Sequence, residues 1–271
     1  MLPMYAPGED PGPNFAEVAR RAGLGPKDLP HAPAGAVDVS HATTVVALRY
    51  ADGVVMAGDR RATSGNLISH RDMEKVFPAD RHSGVAIAGA AGPAVEMVRL
   101  FQLQLEHYEK VEGHALSLEG KANQLSGMVR GHLPMAMQGF VVVPLFAGFD
   151  LRRNVGRLFD YDATGGRYEE AAYAATGSGS LFAGTVIKLG YREGMSREEA
   201  LDLALSALFQ AADQDSATGG PDLVRRIFPI VATITAEGFR HVPEDEVAAR
   251  SEAMVATLTS STAGPGWGPA Q

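Results

Sequence analysis

The sequence predicts an α/β fold of the α+β type, a four-layer αββα sandwich of two antiparallel sheets, each covered by a helix pair. Three observations point there. Strand hairpins rather than single strands separate the helical stretches, which disfavours an alternating βαβ sheet. The helices come in pairs. The first two strands are nearly continuous in apolar residues, so both of their faces need cover. With 271 residues, 45% of them hydrophobic, the chain can bury a core of that size.

Thr44–Tyr50 is a β-branched apolar run, Ala51-Asp52-Gly53 is a turn signal, and Val54–Ala57 returns as a second strand. Gly84–Gly89 reads as a third. Helical spacing follows over Pro93–Glu109, through Val98, Phe101, Leu105 and Tyr108, with Pro93 in the first turn. A second helix runs over Ser117–Val129, through Leu118, Ala122, Leu125 and Val129. Strands resume at Phe140–Phe149, Gly156–Tyr161 and Tyr173–Thr176. Helices then cover Ser180–Leu189, with Ser180 as N-cap, and Ser196–Ala212, where Ser196 and Glu199 fit a capping box. A hairpin, Pro229–Thr235 and Phe239–Val242 turned at Glu237-Gly238, precedes a short closing helix from Pro243.

Composition shifts near residue 42. Residues 1–42 hold 7 of the 16 prolines, too Pro/Gly-rich to bury much apolar surface, with one short helix expected over Phe15–Ala22. Residues 43–259 form the folded domain, and 260–271 read as a disordered tail.

Several function classes are disfavoured. A net charge of −8 makes nucleic acid or an anionic membrane a poor partner. The absence of cysteine removes disulfides, Cys-ligated metals and a thiol nucleophile, and is compatible with a cytoplasmic location. The eight histidines show no ligand spacing, so no metal or cofactor is expected. No apolar run reaches 18 residues, and the N-terminus does not read as a secretory signal.

Three polar residues stand beside apolar strands: Thr43, Asp59 and Lys75. Each has an ordinary explanation: β-propensity for the threonine, a turn for Gly58-Asp59, a solvated side chain for the lysine. Taken together with their surroundings, Thr43-Thr44-Val45-Val46-Ala47, Gly58-Asp59-Arg60-Arg61-Ala62-Thr63 and Lys75 resemble the actinobacterial proteasome β-subunits, whose Thr–Asp–Lys set has the same offsets of 16 and 32 residues. Gly89-Ala90-Ala91-Gly92, Gly177-Ser178-Gly179-Ser180 and Asp215-Ser216-Ala217-Thr218-Gly219-Gly220 extend the resemblance over roughly residues 41–250.

The resemblance implies an N-terminal-nucleophile hydrolase and a threonine endopeptidase. It implies self-cleavage between Ala42 and Thr43, removing residues 1–42 at the composition break. The family usually has glycine before the threonine; Ala42 is the smallest departure and is expected to slow processing rather than stop it. A threonine hydroxyl needs a base, and a free α-amino group, with a pKa of about 7.7–8.0, supplies one only after the cut. Lys75 is implied to lower the pKa values of the Thr43 hydroxyl and amine, with Asp59 offsetting its burial. The Gly89 N–H is implied to stabilise the oxyanion, and Ser178, Asp215 and Thr218 to bond around the amine and order a water.

By the same resemblance, the P1 pocket falls on Ala62, Met73, Ile87, Ala91 and Val95, with Lys75 at its base. With no acid among these, apolar or aromatic P1 residues are expected. Backbone near Thr63, Gly89 and Ala91 is expected to hold substrate as an added strand. The implied partners are a homo-heptameric β-ring stacked on α-subunit rings, a regulatory ATPase acting through those rings, and unfolded substrates carrying a small ubiquitin-like tag (Pup). A non-catalytic structural subunit, the heat-shock peptidase that lacks α-partners, and a small-molecule amidohydrolase are alternatives. The intact Thr–Asp–Lys set disfavours the first, and Arg60-Arg61, where that peptidase has Gly-Gln, disfavours the second.

Overall fold

The computed structural model describes residues 43–262; the expected helix at Phe15–Ala22 lies outside them. The Asp52 turn folds β1 (Thr44–Tyr50) onto β2 (Gly53–Gly58). With β10 (Tyr173–Gly177), β11 (Ile230–Thr235) and β12 (Gly238–His241) they form a sheet in the order β10-β1-β2-β11-β12. The second sheet runs β5-β6-β7-β8-β9, from β5 (Val76–Asp80), β6 (Ser83–Gly89), β7 (Val142–Asp150), β8 (Val155–Tyr161) and β9 (Arg167–Glu170). All pairings are antiparallel. An exposed ribbon, β3 (Ala62–Ser64) with β4 (Leu67–His70), stands apart.

The period-2 geometry of β1 explains its unbroken apolar run. Val45 and Ala47 face the second sheet, where they join Val76, Ala86, Leu145 and Leu158 in the central layer. Val46 and Leu48 face the other way, onto α4 (Ser180–Gly190) and α5 (Arg197–Gln214), through Ile187, Leu201 and Leu208. The outer face of the second sheet is covered by α1 (Ala91–Glu112) and α2 (Leu118–Gly131). There Phe101 stands edge-on to Phe146 at 5.9 Å, among Val98, Leu125 and Phe159. Each such buried side chain contributes about 1.5–3 kcal/mol. The four-layer sandwich predicted from sequence is the observed one.

Some local expectations need correction. The closing helix is not short: α6 (Glu244–Thr262) runs 19 residues, and it carries Ser260–Thr262, which the sequence assigned to a disordered tail. Ser180 is the first residue of α4, not its cap; Gly179 caps without a side-chain bond. The last hairpin turns at Ala236-Glu237, and Gly238 opens β12. The Ser196–Glu199 capping box on α5 is present as expected. Strands β3, β4, β5 and β9 and the one-turn α3 (Leu133–Ala136) were not predicted. β9 is Arg-Tyr-Glu-Glu, without apolar alternation, and β5 carries Pro78, which an edge strand tolerates.

Candidate active site

The site gathers where β1 begins, β2 ends and β5 begins. The β1–β2 register sets Gly58 opposite Val45, so the next residue, Asp59, meets Thr44: its N–H donates to the Thr44 carbonyl at 3.1 Å. Lys75 leads into β5, its carbonyl accepting from Ile87 N–H at 2.9 Å. Gly58 lets the two sheets approach, since a Cβ there would stand 3.0 Å from Val45 Cγ1 and 3.5 Å from Lys75 Cβ.

Asp59 and Lys75 are buried, 0% and 1% exposed, and form an ion pair of 2.7 Å through Asp59 Oδ1. The same oxygen accepts from Thr44 N–H at 2.9 Å. Oδ2 accepts from the Arg61 N–H at 2.9 Å and the Gly219 N–H at 2.8 Å. Lys75 Nζ also donates to the Arg61 carbonyl at 2.6 Å. Two of its three protons are thereby committed. Burial pushes the Lys75 ammonium below the ordinary lysine range, and the Asp59 charge opposes that shift. Because Thr44 N and Lys75 Nζ share one acceptor, the lysine is held against the peptide that joins Thr43 to Thr44.

A second cluster grips Thr43 from the other side. Its carbonyl accepts from Ser178 N–H at 2.9 Å. Ser178 Oγ donates to Asp215 Oδ2, which also accepts from Thr218 Oγ1 at 2.6 Å. Asp215 caps the C-terminus of α5 and receives the Ala217 N–H at 3.1 Å. Burial raises the Asp215 pKa, but the donors Ser178, Thr218 and Ala217 outweigh it and hold the carboxyl below its ordinary range. Arg61 ties the clusters together by donating to the Ser216 carbonyl at 3.0 Å.

Two glycines here have no substitute. Gly89 ends β6 at φ +109°, where a Cβ would lie 2.1 Å from the Val141 carbonyl oxygen. Gly177, opposite Thr44 in β10, has φ +103°, and a Cβ would lie 1.7 Å from the Thr43 carbonyl oxygen. Gly177→Ala is therefore expected to break the Ser178–Thr43 bond and lower peptidase activity by orders of magnitude. Gly184→Ala in α4, where the added Cβ meets nothing closer than 3.9 Å, is expected to keep wild-type rates in the same assay.

Of the expected pocket residues, Met73, Ala91 and Val95 line one cavity of about 890 Å³, beside the chain segments that carry Lys75 and Gly89. Ala62 and Ile87 do not line it: Ala62 lies on β3 and Ile87 is buried in β6. Phe77, absent from the sequence reading, is part of the wall. Exposed Asp72, Glu74 and Glu96, outside the five positions named from the resemblance, also border the cavity. Asp72 pairs with Arg60 at 2.6 Å. Among the described residues no group of three or more His, Cys, Asp or Glu is placed to hold a metal ion, and no helix is long and apolar enough to cross a membrane.

Two antiparallel sheets between helix pairs, with a threonine opening the first strand over a buried Lys–Asp pair, define the N-terminal-nucleophile hydrolase architecture. The family model described as "Proteasome subunit" matches residues 39–224. The "Proteasome subunit beta" of Acidimicrobium ferrooxidans is 59% identical over 245 residues, covering 90% of this chain and 89% of that protein. The protein of the same description from Streptomyces griseus is 64% identical over 212 residues, covering 78% and 75%. The chain belongs to the proteasome subunit family, on its β side, the threonine endopeptidases.

Proposed function

We propose that this chain cuts itself between Ala42 and Thr43 and then hydrolyses peptide bonds with Thr43 Oγ1 as the nucleophile. The observation that carries the reading is Lys75, an almost fully buried cation held by Asp59 and the Arg61 carbonyl at the head of β1. Burying such a charge is costly, and a third N–H remains to act toward the Thr43 hydroxyl.

In the processed chain the Thr43 amine takes the hydroxyl proton as Oγ1 attacks the scissile carbonyl. The Gly89 N–H receives the developing oxyanion. Collapse expels the leaving amine, which takes up that proton, and leaves an ester on Thr43. A water ordered by Ser178, Asp215 and Thr218 hydrolyses the ester and returns the proton to Oγ1. In the precursor the same nitrogen is an amide and cannot serve as base, so residues 1–42 keep the enzyme inert.

The chain works in the proteasome core particle with α-type rings. The finer reading is a homo-heptameric β-ring in the cytoplasm, served through the α-rings by a regulatory ATPase that delivers unfolded, Pup-tagged proteins. Met73, Phe77, Ala91 and Val95 support a preference for apolar or aromatic P1 residues, since the acids bordering that cavity are exposed and solvent-screened. A fluorogenic peptide survey should rank apolar P1 substrates above basic ones; fastest cleavage after Arg or Lys would contradict this.

Intact mass and N-terminal sequencing of the assembled particle should give a chain beginning at Thr43. Selective acetylation of that α-amine should then abolish peptide hydrolysis. A different N-terminus, or hydrolysis unaffected by acetylation, would overturn the mechanism.

A further inference from the structure

We propose that Thr44 is a positioning residue for this peptidase, its hydroxyl being the middle link of a one-way hydrogen-bond chain that fixes Thr43 against two distant segments. The proposal rests on the reading of Thr43 as nucleophile. A fully buried hydroxyl in a strand continuing Val45-Val46 is unexpected on packing grounds, where valine would fill the same space without a polar atom to satisfy.

The Thr44 hydroxyl is satisfied twice. Oγ1 accepts from Gly179 N–H at 2.9 Å and lies 2.6 Å from Thr218 Oγ1. Each hydroxyl has one proton. Thr218 gives its own to Asp215 Oδ2 at 2.6 Å, so Thr44 must be the donor to Thr218. The chain therefore runs in one direction, from Gly179 N–H through Thr44 and Thr218 to the Asp215 carboxylate, and such chains strengthen link by link. Its neighbours complete the clamp. Ser178 N–H holds the Thr43 carbonyl, one residue before the amide that holds Thr44, while Thr44 N–H rests on Asp59. The fit is close: a Cβ on Gly179 would stand 2.5 Å from Thr44 Oγ1 and 2.8 Å from Thr218 Oγ1. From the position after Thr43, this one side chain reaches both the 178–179 turn and the 215–219 loop.

The test compares Thr44→Val, Thr44→Ser and Thr43→Ala in assembled particles whose processing is checked by intact mass. Thr44→Val is expected to lower kcat by about ten- to a hundredfold with KM nearly unchanged, because it strands the Gly179 donor and the Thr218 acceptor. Thr44→Ser keeps both bonds and should stay within about threefold of wild type. Wild-type kcat in Thr44→Val, or equal impairment in Thr44→Ser, would sink the proposal. Should Thr44→Val not assemble, Gly179→Ala crowds the same hydroxyl and is expected to show the same kcat loss at constant KM; wild-type kcat there is equally fatal. Activity surviving in Thr43→Ala would remove the underlying reading, whereas an inactive Thr43→Ala beside a fully active Thr44→Val removes only this inference.

Discussion

Thr43→Ala particles are expected to retain residues 1–42 and to hydrolyse peptide at least about 10⁴-fold more slowly than wild type, the scale on which a nucleophile acts. The substitution isolates the hydroxyl, because the contacts that place residue 43 are made by the backbone. The Thr43 carbonyl accepts from Ser178, and the Thr44 N–H donates to Asp59, whichever side chain stands at 43. Alanine preserves both, so assembly should proceed and the loss should be chemical. Thr43→Ser keeps the oxygen and should restore processing and part of the turnover. Intact mass reads the first effect and steady-state hydrolysis of a fluorogenic peptide the second. A processed, active Thr43→Ala particle would refute the assignment.

The layers were legible because two patterns are written plainly. The unbroken apolar run within Thr44–Tyr50 demands cover on both faces, and the helical spacing of Val98, Phe101 and Leu105 supplies cover for the opposite sheet. The ribbon β3–β4 was not legible, because its residues are mostly exposed and no burial pattern marks them. The true length of α6 was hidden for a related reason: residues 256–260 are mostly exposed and offer no apolar stripe.

Within the site, Thr43, Asp59 and Lys75 were singled out by their resemblance to the proteasome β-subunit pattern, and Asp59 and Lys75 do meet. What spacing cannot give is hydrogen-bond direction. Thr44 read as one more residue of a β-branched strand, and Gly177 and Gly179 as part of a matching motif, until the approach of β10 and α4 to the head of β1 showed what each makes room for. Phe77 had a readable signal, an apolar residue two past Lys75, but its place in the cavity wall depends on α1 lying across β5.

Lys75→Met is expected to be as damaging as loss of the nucleophile, and for two separable reasons. It removes the cation beside Thr43. It also leaves Asp59 buried with three backbone donors, from Thr44, Arg61 and Gly219, and no countercharge. Breaking a buried pair from one side costs about 3–5 kcal/mol, so the variant should unfold at a clearly lower temperature. The double variant Lys75→Met/Asp59→Asn separates the effects. Removing both charges ends the uncompensated burial, so stability should recover relative to the single variant. Recovery should be incomplete, since an asparagine has one acceptor oxygen where Asp59 uses two, and its amide would face donors. Activity should not recover at all, because neither substitution returns a cation to the head of β1. Thermal unfolding and peptide hydrolysis on the same three particles give the answer. Peptidase activity in the double variant approaching wild type would mean that Lys75 serves only to neutralise Asp59.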